Sequence, residues 1–552
     1  MLQNDCLKGS LKEYVPSLEK PWNERRVHHL FNKLSTGAPY PLLQRALATG
    51  PSIINDLLAE AKSHPLPGEV KNTASGVIDY SVVWKEQTTQ DFDPTNPENL
   101  GAILYEKRNF MYQMWINGLI EEGIRHKLVL FWSNHFTSEM NAHTWTFQYY
   151  YLLHKNALGN FKQFVMDMGR TPLMLIYLDG AYSYAISPNE NYARELLELF
   201  TMGVGNYTEE DVAEIARVMT GWTIEYSFYD FGVKKWVNNF LPNKVDEFLF
   251  RGGGNFGHDF GSKTVLGRKI PASTPKSGDL KDEARLADLE YQKLHDIIFE
   301  ERELMIAKFI CKKLYKHYLY EFPPDEIIEG LADVFISSNW DILSVLKTLF
   351  RSEHFFEEAN MGLNIKSHIE NVIHFYRLLG LRKGEDYFMF KIINDTRIQD
   401  PMNIEKVNTL EYIYYQTYNL NQGLFNPPNV AGWLGYRNWL NEFTLVNRWR
   451  IAIDQVNGWL PYPNTKQKYR QFLKDISNNS MDPYVIITKL LENFIPITMS
   501  EDILNNAVDA FKSPVPINYF DDGTWTLDYI EVPKQFETVM FYIFTLPEYN
   551  LL

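Results

Sequence analysis

Apolar residues recur at helical spacing along most of this chain. Residues 23–34, NERRVHHLFNKL, form an amphipathic pattern that Thr36-Gly37 closes, and residues 39–47 and 52–61 predict two further short helices. Leu100, Ile103, Met111, Met114, Trp115, Leu119, Leu128 and Phe131 place a strong helical region over 99–135. Helices are predicted at about 145–156 and 160–168, on either side of Gly159, with a short buried element at 172–178. Helical patterning resumes from about 286 to 320, begins again at the PPDE of 323–326, where Pro and acids suit a first turn, and continues over 341–356, 366–381 and the last hundred residues. The pattern breaks in four places. Residues 64–99 read as a loop or a pair of short strands, 383–410 as loop with short helix, and 424–439, LFNPPNVAGWLGYRNW, as a turn-rich aromatic segment. In 225–280, period-two alternation surrounds RGGGNFGHDFGSKTVLG and predicts a small hairpin or an irregular lid. The fold class expected is mainly α, a large single helical unit with an irregular Gly-rich/β-hairpin insertion around residues 225–280. Residues 1–22 would be a loose arm, 23–450 the core, and 451–552 C-terminal helices packed on it.

The densest local grammar lies in SPNENYARELLELFTMGVGNYTEEDVAEIARVMTGW, residues 187–222. Ser187, Pro188 and Glu190 have the form of a capping box, so a helix should run from there to about Met202 and stop at Gly203. Asn191, Arg194, Glu195 and Glu198 fall at i, i+3, i+4 and i+7, which is one helix face. That stripe is either a solvated face, with Arg194 and Glu198 paired at i, i+4, or a polar seam within a helical core. Thr208 caps a second helix whose first turn carries Glu209, Glu210 and Asp211, and Glu214 and Arg217 follow on it.

Composition narrows the function classes. Hydrophobic residues make up 45% of 552, enough for a large core, and the aromatic share of 15% fits bulky helix packing or aromatic-lined grooves for sugars. A net charge of -15 argues against a nucleic-acid-binding surface while leaving room for a local basic site. Cys6 and Cys311 are the two cysteines, too few for a disulfide framework or a thiolate metal site. The first residues carry no apolar signal core and no run approaches a membrane span, so the expectation is a soluble, cytoplasmic protein.

Candidate chemistry outside the central stretch rests on histidines. His135 ends a helix in FWSNHF, His154 lies in LLHKNALGNF, and His258-Asp259 sits on a Gly-rich loop that can present an imidazole and a carboxylate together. Each also has a plain structural role available, as a hydrogen-bonded packing residue or an Asx-type turn. RGGGNFG lacks the strand and helix context of a nucleotide loop, and HExxH, GxSxG and Cys–His nucleophile patterns are missing.

FWSNHF, NALGNF, the 187–222 block, HDFGSKTVLG and NPPNVAGW-LGYRNW occur in this order, and the chain resembles the bacterial family catalogued as domain of unknown function 1800. The resemblance covers roughly residues 25 to 450 and implies one large helical unit without an established reaction. It also implies a functional partnership with a sulfatase- or alkaline-phosphatase-like protein encoded nearby. Many similar proteins begin with an export signal; this chain departs from that, leaving export with a partner as the alternative to a cytoplasmic location. Two readings follow. In one, Glu195, Glu198, His258, Asp259 and His135 hold a divalent Zn, Fe or Mn, with Arg194 beside them, in a hydrolase or an oxygen-using iron enzyme; without metal, a Glu pair could act on a sugar or other small molecule. In the other, the protein is a non-catalytic partner or scaffold in which the same groups form a buried Arg–carboxylate network.

Overall fold

The computed structural model describes residues 10–67, 111–140, 143–224, 248–276, 278–381, 409–457 and 463–552, with strand backbone also at 227–230, 235–238, 241–244, 391–393 and 396–398. The architecture is mainly α. Among the described residues the sheets are small: one of three strands and three of two. One continuous cluster of buried apolar side chains runs from Tyr14 to Tyr549, so the N-terminal, central and C-terminal helices share a core. No helix of the described residues is long and apolar enough to cross a membrane.

Local signals account for much of this. The first helix, Glu24–Ser35, starts where the Asn23 side chain accepts from the Arg26 amide and stops where Thr36 turns left-handed. Helices follow at Ile124–His135, His143–Asn156, Phe161–Gly169, Pro172–Tyr177, Leu280–Glu301, Glu303–Tyr318, Asp325–Ser337, Ile342–Phe350 and His368–Leu378, close to the patterned segments. Gly123, at φ 77°, separates the helix over 111–121 from Ile124–His135, which breaks the single run expected there. The described part of the N-terminal arm is docked rather than loose: Tyr14 is buried against Phe356, and its amide donates to the Arg351 carbonyl at 2.8 Å. An aromatic ring gains more from burial there than the short polar segment around it loses in freedom. The insertion is β-rich as expected: Trp222–Thr223 pairs with Phe248–Phe250, and Lys263–Val265 with Arg268–Ile270. Residues 68–99 and most of 383–408, where loops and strands were expected, lie largely outside the described residues. At the other end of the chain Leu551 bridges Ile365, and Lys366 donates to the Tyr549 carbonyl at 2.7 Å, which fixes the segment entering the His368–Leu378 helix.

Candidate functional site

The Ile124–His135 helix ends in FWSNHF, and its last two polar residues have different tasks. Asn134 acts as a surrogate peptide for the turn-rich segment: its Oδ1 accepts from the Trp433 amide at 2.7 Å, and its Nδ2 donates to the Trp433 carbonyl at 3.1 Å. This two-point clamp, with Thr137 donating to the Val430 carbonyl and the Met140 amide to Phe425 O, holds residues 425–433 against the helix end. Gly432 is required by the clamp. Its φ is 75°, and a Cβ there would lie 2.2 Å from Asn134 Oδ1. The clamp places Trp433, whose indole N–H donates to Asn421 O at 2.7 Å.

His135 points the other way, into the central stretch. The helix expected over 190–202 is α only at Asn191–Glu195; Leu196–Thr201 is a π-helix. Thr201 donates its hydroxyl back to Leu196 O at 2.6 Å, and Gly203, at φ 81°, ends the element as expected. The wider turn leaves carbonyls short of intrahelical partners, and two side chains supply them. His135 Nε2 lies 3.1 Å from Phe200 O, and Lys313 Nζ donates to Leu199 O at 3.0 Å and approaches His135 Nδ1 at 3.1 Å. Since the ammonium can only donate, Nδ1 is the imidazole acceptor and Nε2–H the donor to Phe200. Burial, then the neighbouring Lys313, hold the His135 imidazole well below its ordinary pKa, so it is neutral. Burial brings the Lys313 amine down to about 8.

Lys313 and His135 form part of the wall of a cleft of about 560 Å³, lined also by Phe131 and Asn134, by Phe309, Lys312, Lys316 and His317 from the Glu303–Tyr318 helix, by Ser367 and Glu370, and by Trp433, Tyr436 and Trp439. Its two carboxylates are already engaged. Glu370 takes Lys127 Nζ at 2.9 Å and the Ser367 amide at 2.9 Å, closing a capping box, and Glu321 takes Lys316. Burial opposes ionisation of Glu370, but Lys127, His317 and the Ser367 amide outweigh it and hold the carboxyl at about 2. Among the described residues no ion pair joins Lys312 or Lys313 to a carboxylate, in contrast to Lys316. His317 is pushed down to about 4 by burial, and its Nε2 is a buried ring nitrogen without a hydrogen-bond partner. The cleft therefore combines unneutralised cations, an unsatisfied imidazole and aromatic faces.

The remaining candidates lie elsewhere. Arg194 pairs with the exposed Glu209 through two contacts of 2.9 and 2.7 Å and with Glu190 at 3.5 Å, not with Glu198 as its i, i+4 spacing suggested, because the π turn changes the register beyond Glu195. Glu198 instead accepts from the Tyr207 hydroxyl at 2.9 Å. Glu195 is half-buried, and burial together with Glu198 raises its pKa. The Ser187 capping box does not form: Ser187 pairs with Tyr184, and Asn189, two residues nearer the helix, accepts the Asn191 amide at 2.9 Å. Thr208 and Asp211 do form the reciprocal box at the second helix.

His258 and Asp259 are tied into a different network. His258 Nδ1 sits 2.8 Å from Thr220 O, and its Nε2 lies 3.3 Å from Glu290, a residue the sequence reading passed over. Lys263, buried, donates to the same Glu290 oxygen at 2.6 Å. Asp259 takes Arg217 Nε at 2.7 Å, and the Arg217 guanidinium also meets Glu214 at 2.7 Å. Asp211 and Glu214 accept the Leu266 and Thr264 amides, so the Glu209–Val218 helix is stitched to the hairpin. The structure does not bring the expected ligand set together: among the described residues no group of three or more His, Cys, Asp or Glu side chains is placed to hold a metal ion.

The sequence profile of a family described as "Protein of unknown function (DUF1800)" matches residues 29–551. The chain belongs to the DUF1800 family. No curated protein and no solved structure matches it. In this DUF1800 member the FWSNHF and NPPNVAGW-LGYRNW blocks meet at the cleft, and LELFT holds its wall residues Lys313 and His135, whereas HDFGSKTVLG serves the His258–Glu290–Lys263 network. Lys312 and Lys313 were missed because KKLYK reads as an ordinary helix segment; the one available signal was a cluster of cations within an apolar helix of an acidic chain.

Proposed function

We propose that the cleft beside His135 and Lys313 binds a small organic anion carrying a ring, and that a carboxylated, sulfated or phosphorylated sugar is the class that fits. One arrangement carries this reading: Lys312 and Lys313, without carboxylate partners among the described residues, line the same cleft as Trp433, Tyr436 and Trp439. Aromatic faces take the apolar side of a ring, and the lysine cations take its charged group. A chain of net charge -15 repels anions over most of its surface, so an unneutralised basic wall is a specific local investment. The His368–Leu378 helix adds its positive end at Ser367.

The metal-dependent hydrolase or iron oxygenase expected from the candidate residues gains no support from their placement, since His258 and Asp259 are engaged by Glu290 and Arg217. That same pairing favours the structural, scaffold-like role for the hairpin network. The sulfatase- or phosphatase-like partner implied by the resemblance would handle the same class of sugar ester.

Differential lysine acylation, mapped by mass spectrometry, tests the cleft reading. Millimolar glucose 6-phosphate or glucose 6-sulfate should shield Lys312 and Lys313 while leaving Lys474 and Lys534 unchanged, and glucose should shield neither. Equal labelling of Lys312 and Lys313 with and without the charged sugars would overturn the reading.

A further inference from the structure

Lys313 differs from the other lysines at the cleft. Lys316 is paired with Glu321, and Lys312 is exposed. Lys313 is half-buried, and no carboxylate of the described residues pairs with it. Its Nζ donates to Leu199 O and His135 Nδ1, lies 4.8 Å from the Phe309 ring centroid, and retains a third valence for a ligand. Nothing in its setting demands that the nitrogen stay protonated: the His135 contact is also available to a neutral amine, which donates through N–H as the ammonium does.

We propose that Lys313 is a nucleophilic amine that forms a reversible imine with an anionic carbonyl compound seated in the cleft. This rests on the reading of the cleft as an organic-anion site and names a chemistry for it. The Nζ lone pair attacks the carbonyl carbon, forming the C–N bond while the C=O π electrons move to oxygen. A proton leaves nitrogen and one reaches that oxygen, giving a carbinolamine. Loss of water breaks the C–O bond and leaves the imine, so amine plus carbonyl gives imine plus water with no oxidant or reductant. His135 Nδ1, kept as an acceptor by the Nε2–H bond to Phe200 O, is placed to take the proton leaving Nζ. Lys312 and the aromatic residues hold the anionic group and the ring. A lysine whose pKa is brought down to about 8 is about one-tenth neutral amine at pH 7 and half neutral at pH 8, whereas an ordinary lysine is about 0.4% neutral at pH 8.

The test uses the full chain at pH 8 with substoichiometric pyridoxal 5′-phosphate, a ring aldehyde bearing a phosphate, and glyoxylate as a small comparator. Borohydride reduction fixes any imine as a secondary amine, and peptide mapping locates it. Lys313 should carry at least about ten times the label of an ordinary exposed lysine, given its larger neutral fraction. K313R should remove that label, K534R should keep it, and H135Q should slow its appearance. Label distributed over surface lysines in proportion to exposure, with Lys313 no faster than Lys312 in the wild-type chain, would overturn the proposal even if K313R fails to fold. Shielding of Lys313 by the charged sugar without reducible label would sink the imine and leave the anion site standing; loss of both would sink both.

Discussion

Replacing Gly432 by alanine probes the clamp that builds one wall of the cleft. The backbone at 432 is left-handed, φ 75°, and the new Cβ would fall 2.2 Å from Asn134 Oδ1 and 2.8 Å from Asn134 O. The side-chain amide cannot recede without breaking the bonds of 2.7 and 3.1 Å that join Asn134 to Trp433. The left-handed conformation costs an L-residue about 1–2 kcal/mol. Two lost hydrogen bonds add about 0.5–1.5 kcal/mol each, for a total of about 2–5 kcal/mol. Because the loss is local, hydrogen exchange across 429–436 reads it more cleanly than a melting curve of the whole chain. At about 1.4 kcal/mol per tenfold, exchange of this segment should accelerate by about 30- to 4,000-fold, with Trp433 emission shifting as the indole leaves Asn421. Asn134→Ala removes the same bonds without the strain and should lie about 1–2 kcal/mol below that effect. Exchange in G432A within threefold of wild type would show that the clamp does not hold this wall.

Glu290 anchors the sealed network, so E290Q leaves Lys263 buried without its carboxylate and should destabilise the fold by about 3–5 kcal/mol in urea titration. Burial raises the Glu290 pKa, but the His258 and Lys263 contacts outweigh it and hold the carboxyl below its usual 4.5. Its stabilisation is therefore present above pH 4.5 and lost as pH falls through the lower folded value, and E290Q should be less acid-sensitive than wild type in that window. Acylation of Lys313 should have its pH midpoint near 8, against about 10.4 for an ordinary exposed lysine; coincident midpoints for Lys313 and Lys312 would contradict the desolvated setting. A chelator should leave the unfolding midpoint unchanged, since His258, the most ligand-like histidine of the hairpin, is engaged by Glu290 and Thr220; a clear drop would restore the metal-centred reading of the network.

Features decided within a few residues were legible in the sequence. Thr208 as the cap of the second helix and Gly203 as a stop follow from backbone groups at helix ends that only nearby residues can reach. The failures were contests between neighbours or between geometries of equal composition. Ser187 lost the cap to Asn189, whose shorter reach to the Asn191 amide prevails. Leu196–Thr201 has the residues of an α-helix, and its π turn depends on Lys313 and His135, which satisfy the carbonyls from 114 and 65 residues away. The cleft was illegible as a unit because its walls come from the 130s, the 310s, the 360s and the 430s, and no spacing rule joins them. Within the stripe of Asn191, Arg194, Glu195 and Glu198, Arg194 turns to Glu209 and Glu198 to Tyr207, pairings that the helical spacing did not indicate.

Calorimetric titration of the full chain with glucose 6-sulfate, glucose 6-phosphate and glucose, repeated on K312M and K313M, tests the central claim most directly. The account expects saturable binding of at least one charged sugar, none of glucose, and at least about tenfold weaker binding when either lysine is replaced, as the loss of a charge-assisted contact implies. Equal heats for charged and neutral sugars, or charged-sugar binding untouched in both variants, would contradict it.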